Sequence, residues 1–428
     1  MLPKHFLLVY ILFVSWFCVE AQELAPYSKY GLGDLRGSGF TAQTSMGRIT
    51  SAYRDAVHIN FNNPASYSEI QLTTLEGGMA LSSKTITTQT STSKATAGLV
   101  DFFALAFPVT KGMAISAGLV PFSHTKYSYE LSDTLAQDNI AYKRAFNGSG
   151  TTYQLYVGTG VKFPMKNDTA KHSISIGANA IYLFGRTRYS DFLDFSGTAD
   201  FFGTRKTSTI RPSDIAMNTG FQYTIQFAKK WSAVVGANAF LPFSVNNNYN
   251  IVWDRFRVTT QGVFVVDTVA FSGEQKIKRN FPLEYGGGLM IKNGSNFLFA
   301  ADVHIKEWNS FNDFLNPEAT FQNCIRVNAG TELRPSFKGK PNFVKRTRYR
   351  VGGFYETGSL LFNGNEISQY GITFGLGISM KGSFSFINLS FEVGQRGTNV
   401  NNLIKENFFR TYIGFTLNDK WFIKRKYD

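Results

Sequence analysis

The chain has 428 residues, and its 44 Lys and Arg against 30 Asp and Glu give a formal net charge of +14. The basic residues are scattered rather than clustered, which excludes a nucleic-acid-binding surface and favours contact with anionic lipid and lipopolysaccharide headgroups. Only two cysteines are present, which excludes a disulfide framework and a cysteine-based metal site. The chain carries 41 Phe and 20 Tyr but only 17% charged residues, a composition typical of a membrane barrel with an apolar outer face and a polar interior.

Residues 1–21 have the pattern of a cleavable secretory signal peptide. A basic start precedes the apolar run Phe6–Cys18, which is too short to cross a bilayer as a helix. Val19-Glu20-Ala21 then supplies an A-x-A-like cleavage site. No later stretch approaches about 18 uninterrupted apolar residues, so no membrane-spanning helix is predicted.

Residues 22–70 lack a regular alternation of apolar and polar side chains. They hold several glycines, a run of small polar residues and then the run Asn60–Ala65. About 49 residues of this composition are too few to build an independent core. We therefore predict that they form a compact plug inside the lumen of the domain that follows.

From residue 71 onward, apolar and polar side chains alternate with the period of two that is typical of β-strands. Between 368 and 380, for example, Ile372, Phe374 and Leu376 alternate with glycine and threonine. Fourteen strands are predicted, at 71–86, 98–109, 112–130, 149–164, 172–189, 212–228, 230–246, 277–292, 295–306, 324–334, 346–357, 368–380, 383–395 and 407–418. A soluble β-sandwich has shorter strands with charged exposed faces. The pattern therefore predicts an all-β fold, a transmembrane antiparallel β-barrel over 71–418, followed by a basic tail at 419–428.

The predicted connections alternate in length. The long ones are 131–148, 190–211, 247–276 and 307–323, and the short ones are Thr110-Lys111, Lys229, Asn293-Gly294 and Lys381-Gly382. Bacterial barrels have short periplasmic turns and long external loops. This predicts an outer-membrane protein of a Gram-negative bacterium with an even number of strands and both termini in the periplasm. The connection 335–345, with Pro335 and Pro341, is interpreted as an elaborated turn, and the apolar residues within 247–276 favour an external hairpin or an extension of the strands.

The region 47–65 resembles the plug motif of the FadL/TodX (OMPP1) family of outer-membrane transport proteins. The matching residues are Gly47, Ser51, Ala52, Asp55, Ala56, Asn63, Pro64 and Ala65. The match departs from the family at Ile49 and Tyr53, where members have small residues, and at Asn62, where an aromatic residue is common. The resemblance implies a fourteen-stranded barrel plugged by an N-terminal hatch, and the two ends of the chain look like those of members from Bacteroidota.

The resemblance also implies a function, the uptake of hydrophobic small molecules such as fatty acids or aromatic compounds through the plugged barrel. It places a candidate lateral opening at Gly118 and Pro121, where proline denies the sheet a hydrogen-bond donor. Because Bacteroidota use some family members for secretion, the alternative is an accessory partner of another envelope protein in a type IX-like secretion system. Asn63-Pro64-Ala65 is expected to be a fixed turn, either a latch of the hatch or simply the entry to the first strand.

Charged residues within the predicted strands face the lumen by parity. They include Asp302, Arg326, Glu332, Arg348, Arg350 and Glu356. Because an unpaired buried charge is costly, we expect them to pair across strands or to hold the plug rather than to bind substrate. The histidines lack metal-ligand spacing and no nucleophile motif occurs, so we predict no metal site, no cofactor, no catalytic residues and no enzyme activity.

Overall fold

The computed structural model describes residues 25–135, 140–165, 171–195, 201–242, 245–259, 261–335, 343–362 and 364–420. The predicted signal peptide, Pro341 of the elaborated turn and most of the predicted basic tail lie outside the described residues. In the described part of the chain, no helix is long and apolar enough to cross a bilayer.

Fourteen antiparallel strands form one closed barrel. They are β1 (Thr73–Thr87), β2 (Thr92–Thr110), β3 (Met113–Leu135), β4 (Ile140–Met165), β5 (Lys171–Asp194), β6 (Gly203–Gln226), β7 (Trp231–Pro242), β8 (Leu283–Asn293), β9 (Phe297–Glu307), β10 (Cys324–Leu333), β11 (Arg348–Glu356), β12 (Gln369–Ser379), β13 (Phe386–Arg396) and β14 (Lys405–Asp419). Each strand pairs with the next, and β14 pairs with β1 from Thr73 opposite Asp419 to Thr87 opposite Lys405. The predicted fold class and strand number are confirmed.

The two faces of each strand differ as the alternation requires. On β12, the side chains of Ile372 and Phe374 are 65% and 46% exposed on the outer face, whereas Thr373 between them is fully buried. Outward-facing aromatic side chains also contact each other across strands, as in the pair of Phe374 with Phe391, whose ring centroids are 5.1 Å apart. A continuous apolar outer surface of this kind suits contact with lipid chains.

The barrel wall is much taller on one side. Strands β3 to β6 have 23 to 26 residues, whereas β8 to β13 have 9 to 11. About 9–11 residues suffice to cross the hydrocarbon layer, so the long strands continue well beyond it. The prediction that 131–148 and 190–211 are loops was therefore wrong for most of their residues. Their external parts are held together by a cluster of aromatic and aliphatic side chains that includes Tyr127, Tyr189 and Tyr249.

The predicted loop 247–276 is also largely strand. The strand Val245–Thr259 pairs with the outer half of β6 and forms a hairpin with the strand Gly262–Phe271. A further strand, Gln275–Arg279, returns along it toward β8. A small separate sheet of Thr320–Phe321, Leu360–Phe362 and Asn365–Glu366 lies among the remaining long connections.

The barrel therefore has two distinct ends. The turns after β2, β6, β8 and β12 lie at one end, here called the short-turn end, and the extended strands lie at the other, the long-hairpin end. The short helix α2 (Phe343–Arg346) precedes β11, so β11 begins two residues later than predicted. Both β1 and β14 have their outer termini at the short-turn end, as an even strand number requires.

The N-terminal segment, residues 25–72, crosses the barrel from one end to the other. The backbone amide of Ala25 donates to the carbonyl of Lys126 in the long-hairpin half of β3, at 2.8 Å, whereas Leu72 leads into β1 at the short-turn end. The segment contains two 3-10 helices, Pro26–Lys29 and Pro64–Glu69, the two-residue strand Asp34–Leu35, and helix α1 (Thr41–Thr44). The described residues therefore begin at the long-hairpin end and finish at the short-turn end. The chain termini, both of which were predicted to lie in the periplasm, are outside the described residues.

The protein core lies between this segment and the inner face of the wall. The rings of Phe40 and Phe102 are stacked with centroids 3.9 Å apart, and the ring of Phe61 packs on Tyr156. A second cluster joins Met46, Ile49 and Tyr53 of the segment to apolar side chains of β7, β8 and β9. Burial of these side chains supplies the main stabilising contribution that holds the segment in place.

Candidate functional site

Glycines mark the places where the backbone of the N-terminal segment lies directly on the wall. A Cβ atom added to Gly236 would lie 2.0 Å from the carbonyl oxygen of Ser51, and one added to Gly330 would lie 2.1 Å from that of Met46. Gly160, Gly177 and Gly352 make similar contacts with the backbone of the segment, whereas Gly220, Gly375 and Gly414 face side chains of the segment. These strands lie on different sides of the barrel, so the segment contacts the wall around most of its circumference. Glycine is needed here for close approach of two backbones.

Most residues of the predicted plug motif lie at this contact. Gly47 has a positive φ of 72°, donates its amide to Oγ1 of Thr373 at 2.8 Å, and has backbone carbonyls of β10 and β11 where a Cβ would stand. Asn63 caps the 3-10 helix Pro64–Glu69, because its Oδ1 accepts from the amide of Ala65 at 3.1 Å. Pro64 and Ala65 lie against Gly177 of β5. The turn is therefore fixed by the wall as well as by its own side chains.

Asp55 connects the segment to charged residues of β10 and β11. Its Oδ2 accepts from Nη1 of Arg348 at 2.7 Å, and Arg348 also lies 3.5 Å from Glu332. Glu332 in turn binds Nε of Arg350 at 2.7 Å. Burial alone would raise the pKa of Asp55, but the positive charge of Arg348 outweighs it and holds the pKa well below its usual range.

Asp302 holds the segment through its backbone. Its carboxylate accepts from the amide of Ser51 at 2.8 Å and from the amide of Thr50. Gly286 and Gly288 on β8 leave the space that the side chains of His304 and Asp302 occupy. The triple glycine in the sequence therefore accommodates side chains of the neighbouring strand.

Asp302, His304 and Ser51 do not form a catalytic relay. The same atom, Nε2 of His304, lies 3.2 Å from Oγ of Ser51 and 3.8 Å from Asp302, whereas a relay needs the carboxylate on the other ring nitrogen. The hydroxyl of Ser51 instead lies 2.7 Å from Oδ1 of Asn238, and Ser51 is fully buried. The arrangement orders the segment and offers no site for a substrate.

Arg326 and Glu356 lie nearer the long-hairpin end and pair across strands. Arg326, which is only 1% exposed, lies 3.2 Å from Glu284, and Nζ of Lys306 lies 3.1 Å from Glu356. Arg326, Lys306 and Glu356 line an internal cavity of about 190 Å³ together with residues of the segment. The six charged residues predicted to face the lumen thus fall into separate groups along the barrel rather than into one binding site.

Several polar contacts between the segment and the wall were not predicted from the sequence. Arg48 binds both oxygens of Glu392, at 2.7 and 3.0 Å, and Nδ1 of His58 lies 2.8 Å from Glu76. The alternation of side chains along β1 and β13 places Glu76 and Glu392 on the inner face, so the position of the acidic partner in each contact could be inferred from the sequence. Their partners lie in a segment without periodicity, where the sequence gives no direction for a side chain.

The barrel wall is open between β2 and β3 in its long-hairpin half. Pairing of these strands ends with Phe103 opposite Leu119, and within the described residues no backbone pairing joins 92–102 to 120–135. Gly118 lies just below the end of the pairing and Pro121 just above it, where the register of β3 with β4 shifts. The two residues predicted as a lateral opening therefore lie at the rim of this gap.

Residues 34–36 of the segment close the gap from inside. Asp34 and Leu35 pair with His124 and Ser123 of β3, taking the place of β2 as the neighbouring strand. The guanidinium of Arg36 binds both oxygens of Asp101 on β2, at 2.8 and 2.9 Å. The carboxylate of Asp34 would have its pKa raised by burial, but Lys84 and Arg396 hold it well below its usual range. One short stretch thus bridges both edges of the gap.

Two further cavities lie at the ends of the lumen. An apolar cavity of about 280 Å³ at the long-hairpin end is lined by Tyr27, Tyr30, Tyr129 and Leu403 among others, and a cavity of about 900 Å³ opens at the short-turn end. Between them lies a layer of the segment in which Met46, Ile49 and Tyr53 are at most 1% exposed. The layer fills the middle of the lumen with packed side chains and ion pairs.

Comparisons with solved structures bear on the fold. The toluene transporter TodX of Pseudomonas putida aligns with a TM-score of 0.55 at 14% identity, over 90% of this chain and 99% of that chain. A FadL homologue of Pseudomonas aeruginosa gives 0.56 at 11% identity, over 90% and 98%, and the toluene transporter TbuX of Ralstonia pickettii gives 0.53 at 10%, over 89% and 98%. At such identities the likeness establishes the shared fold, that of FadL-type outer-membrane barrels. No curated protein matches the chain. The family model described as BamG matches residues 1–428, and the chain therefore belongs to the BamG family.

Proposed function

We propose that this protein is a closed outer-membrane barrel that serves as a partner component of an assembly related to Bam, the barrel-assembly machinery to which the name of its family points. In this proposal the N-terminal segment is a permanent plug, the short-turn end faces the periplasm and the long strands face outward. No observation favours the narrower alternative of a type IX-like secretion role.

The packed layer in the middle of the lumen carries the proposal. Asp302, Glu392 and Arg348 on three different strands each bind the segment through short contacts. Two of these contacts are buried charge pairs, Arg48 with Glu392 and Asp55 with Arg348, and separating each pair costs about 3 kcal/mol or more. The two hydrogen bonds from backbone amides to the carboxylate of Asp302 add about 1.5 kcal/mol each, so release of the segment costs about 9 kcal/mol. A ligand of micromolar affinity supplies roughly 8 kcal/mol. Binding of a small hydrophobic molecule is therefore too weak to clear the lumen as a routine step.

The external hairpin supports a role in protein contacts. On the strand Gly262–Phe271, the side chains of Val263, Val265, Val269 and Phe271 are 50–64% exposed, and Phe264 and Val266 are similarly exposed. This strand pairs only with Val245–Thr259 within the described residues. An apolar patch of this kind outside the membrane often marks a site for a protein partner.

Purification of the tagged protein from native outer membranes tests the proposal. Bam proteins should co-purify with it in comparable molar amounts, and should be absent from a parallel purification of an unrelated tagged barrel. The same preparation, reconstituted in liposomes, should take up a labelled fatty acid no faster than empty liposomes. Uptake above that background without co-purifying Bam proteins would contradict the proposal.

Uptake of hydrophobic compounds is the second candidate, and two observations favour it. The apolar cavity at the long-hairpin end shares Tyr27 and Tyr30 with the internal cavity, whose lining includes Leu99 and Val100 at the gap between β2 and β3. The fold is also that of proteins described as toluene transporters. A route from the apolar cavity through the gap into the membrane would leave the packed layer intact. It requires displacement of residues 34–36, so Asp101→Asn should then accelerate uptake.

A further inference from the structure

The cavity at the short-turn end has a strongly one-sided charge. Six cationic side chains line it, and they are Arg54, Lys162, Lys171, Lys229, Lys230 and Lys292. Within its described lining the only carboxylate is that of Glu69. We call this cavity the basic vestibule.

The single acidic group of the basic vestibule is already engaged. Oε2 of Glu69 lies 2.7 Å from Nη2 of Arg54 and 3.5 Å from Nζ of Lys162. The remaining four lysines, at 171, 229, 230 and 292, form no salt bridge with another described residue. Four like charges around one concave surface repel each other, and the low-dielectric walls concentrate their field in the cavity. An anionic ligand would relieve this repulsion.

The roof of the basic vestibule is a fixed part of the fold. Arg54 is 4% exposed and donates to Oγ1 of Thr224 at 2.9 Å, in addition to its contact with Glu69. Its Nε has no hydrogen-bond partner within the described residues. A buried guanidinium with an unused donor at the end of a basic cavity is suited to a carboxylate.

The position of the vestibule distinguishes between anionic ligands. It lies within the mouth of the barrel, bounded by the N-terminal segment and the inner faces of β5, β6 and β8. The lipid-facing side chains at the same level, Phe163 and Phe227, are on the outer face and are not part of its lining. A lipid headgroup would have to leave the leaflet to reach the roof. The volume of about 900 Å³ lies near the upper end of the range for small-ligand sites, which leaves room for a short extended peptide.

We propose that the basic vestibule binds an Asp- and Glu-rich segment of a periplasmic protein. That this periplasmic protein belongs to the assembly rests on the proposed function. That the vestibule recognises negative charge rests on its lysines alone. Such a segment would enter from the periplasm and place one carboxylate near Arg54 and others near the lysines of the turns.

Fluorescence anisotropy with a labelled octaglutamate peptide tests the site in the full mature protein, held in nanodiscs of zwitterionic lipid. The double variant Lys229→Glu/Lys230→Glu should bind the peptide at least tenfold more weakly than the wild type. A matched control, Lys276→Glu/Lys278→Glu, carries the same charge change on the strand Gln275–Arg279 in the long-hairpin half and should bind as the wild type does. Octaglutamine should not bind, and binding of octaglutamate should weaken as salt is raised.

Three results would overturn the proposal. The first is that octaglutamate does not bind the wild type at low salt. The second is that the two double variants lose equal affinity for octaglutamate. The third is that anionic phospholipid vesicles bind in a manner that depends on Lys229 and Lys230 while octaglutamate does not bind. Both double variants are first checked for the heat-modifiable migration of a folded barrel.

If Bam proteins co-purify equally with wild type and Lys229→Glu/Lys230→Glu, the vestibule is not their docking site and the proposed function stands. If no Bam protein co-purifies with the wild type, the proposed function fails, and peptide binding still decides whether the site exists.

Discussion

Gly236→Ala provides a direct test of how the N-terminal segment is held. The added methyl carbon would lie 2.0 Å from the carbonyl oxygen of Ser51, 2.5 Å from its carbonyl carbon and 2.7 Å from Cα of Ala52. All three are backbone atoms, which cannot rotate away as a side chain would. The backbone at Ser51 must therefore shift away from the wall. Overpacking of this kind in a well-filled interior typically costs about 1–3 kcal/mol.

The shift also weakens the hydrogen bonds at Ser51. Its amide donates to Asp302 at 2.8 Å, its hydroxyl lies 2.7 Å from Asn238, and its carbonyl accepts from the side chains of Asn63 and Gln222. Loss of one of these bonds adds about 1 kcal/mol. Together the two effects destabilise the docked segment by about 2–4 kcal/mol. At 1.4 kcal/mol for each factor of ten, this corresponds to roughly 30- to 1,000-fold faster opening.

Hydrogen–deuterium exchange of the purified protein measures this opening. Amides within 41–65 should exchange faster in Gly236→Ala by that factor, while the strands of the barrel keep their protection. The matched control is Gly287→Ala on the neighbouring strand, where the nearest atom to the added carbon is 3.7 Å away. Equal exchange in Gly236→Ala, Gly287→Ala and the wild type would refute the conclusion that backbone contact with the wall holds the segment.

Three further predictions concern individual contacts. Arg36→Met removes both bonds to Asp101, so amide exchange at 34–36 should rise at least tenfold while 41–65 stays protected. Asp55→Asn should lower the midpoint of thermal unfolding at pH 7, measured by heat-modifiable gel migration. Because the pKa of Asp55 in the folded protein is depressed, the difference in midpoint from the wild type should shrink as the pH falls below about 4. Asn63→Ala removes the cap of the 3-10 helix Pro64–Glu69 and should increase amide exchange at 65–69 about tenfold.

The barrel was predictable from the sequence because its signal is local and repeated. Each strand carries its own alternation, and a side chain such as Thr373 is assigned to the inner face by its neighbours Ile372 and Phe374 alone. The outer ends of β3 to β6 were missed, because many of their side chains meet water or polar neighbours outside the membrane. There the alternation weakens, although the backbone pairing continues.

The interior of the barrel was less predictable because its contacts join residues that are far apart in the chain. Arg48 and Glu392 are 344 positions apart, and the sequence around Arg48 has no periodicity that could orient its side chain. The wall glycines had a signal, since glycine weakens a strand unless a backbone approaches closely. The signal does not specify the approaching residue, and Gly236 and Gly288 look alike although one faces Ser51 and the other faces Asp302.

The two candidate functions differ in which part of the molecule must move. Uptake through the wall requires residues 34–36 to leave β3 and Arg36 to release Asp101. This would expose the facing edges of β2 and β3, which do not pair with each other in that half of the described barrel. Exposed strand edges promote unwanted pairing, so an idle transporter would need to restore the contact after each passage. A partner component requires no such movement, because its apolar hairpin and its basic vestibule are already accessible at opposite ends. The stability of the contact between Arg36 and Asp101 is therefore the quantity that separates the two functions, and rapid exchange at 34–36 in the wild type would favour uptake.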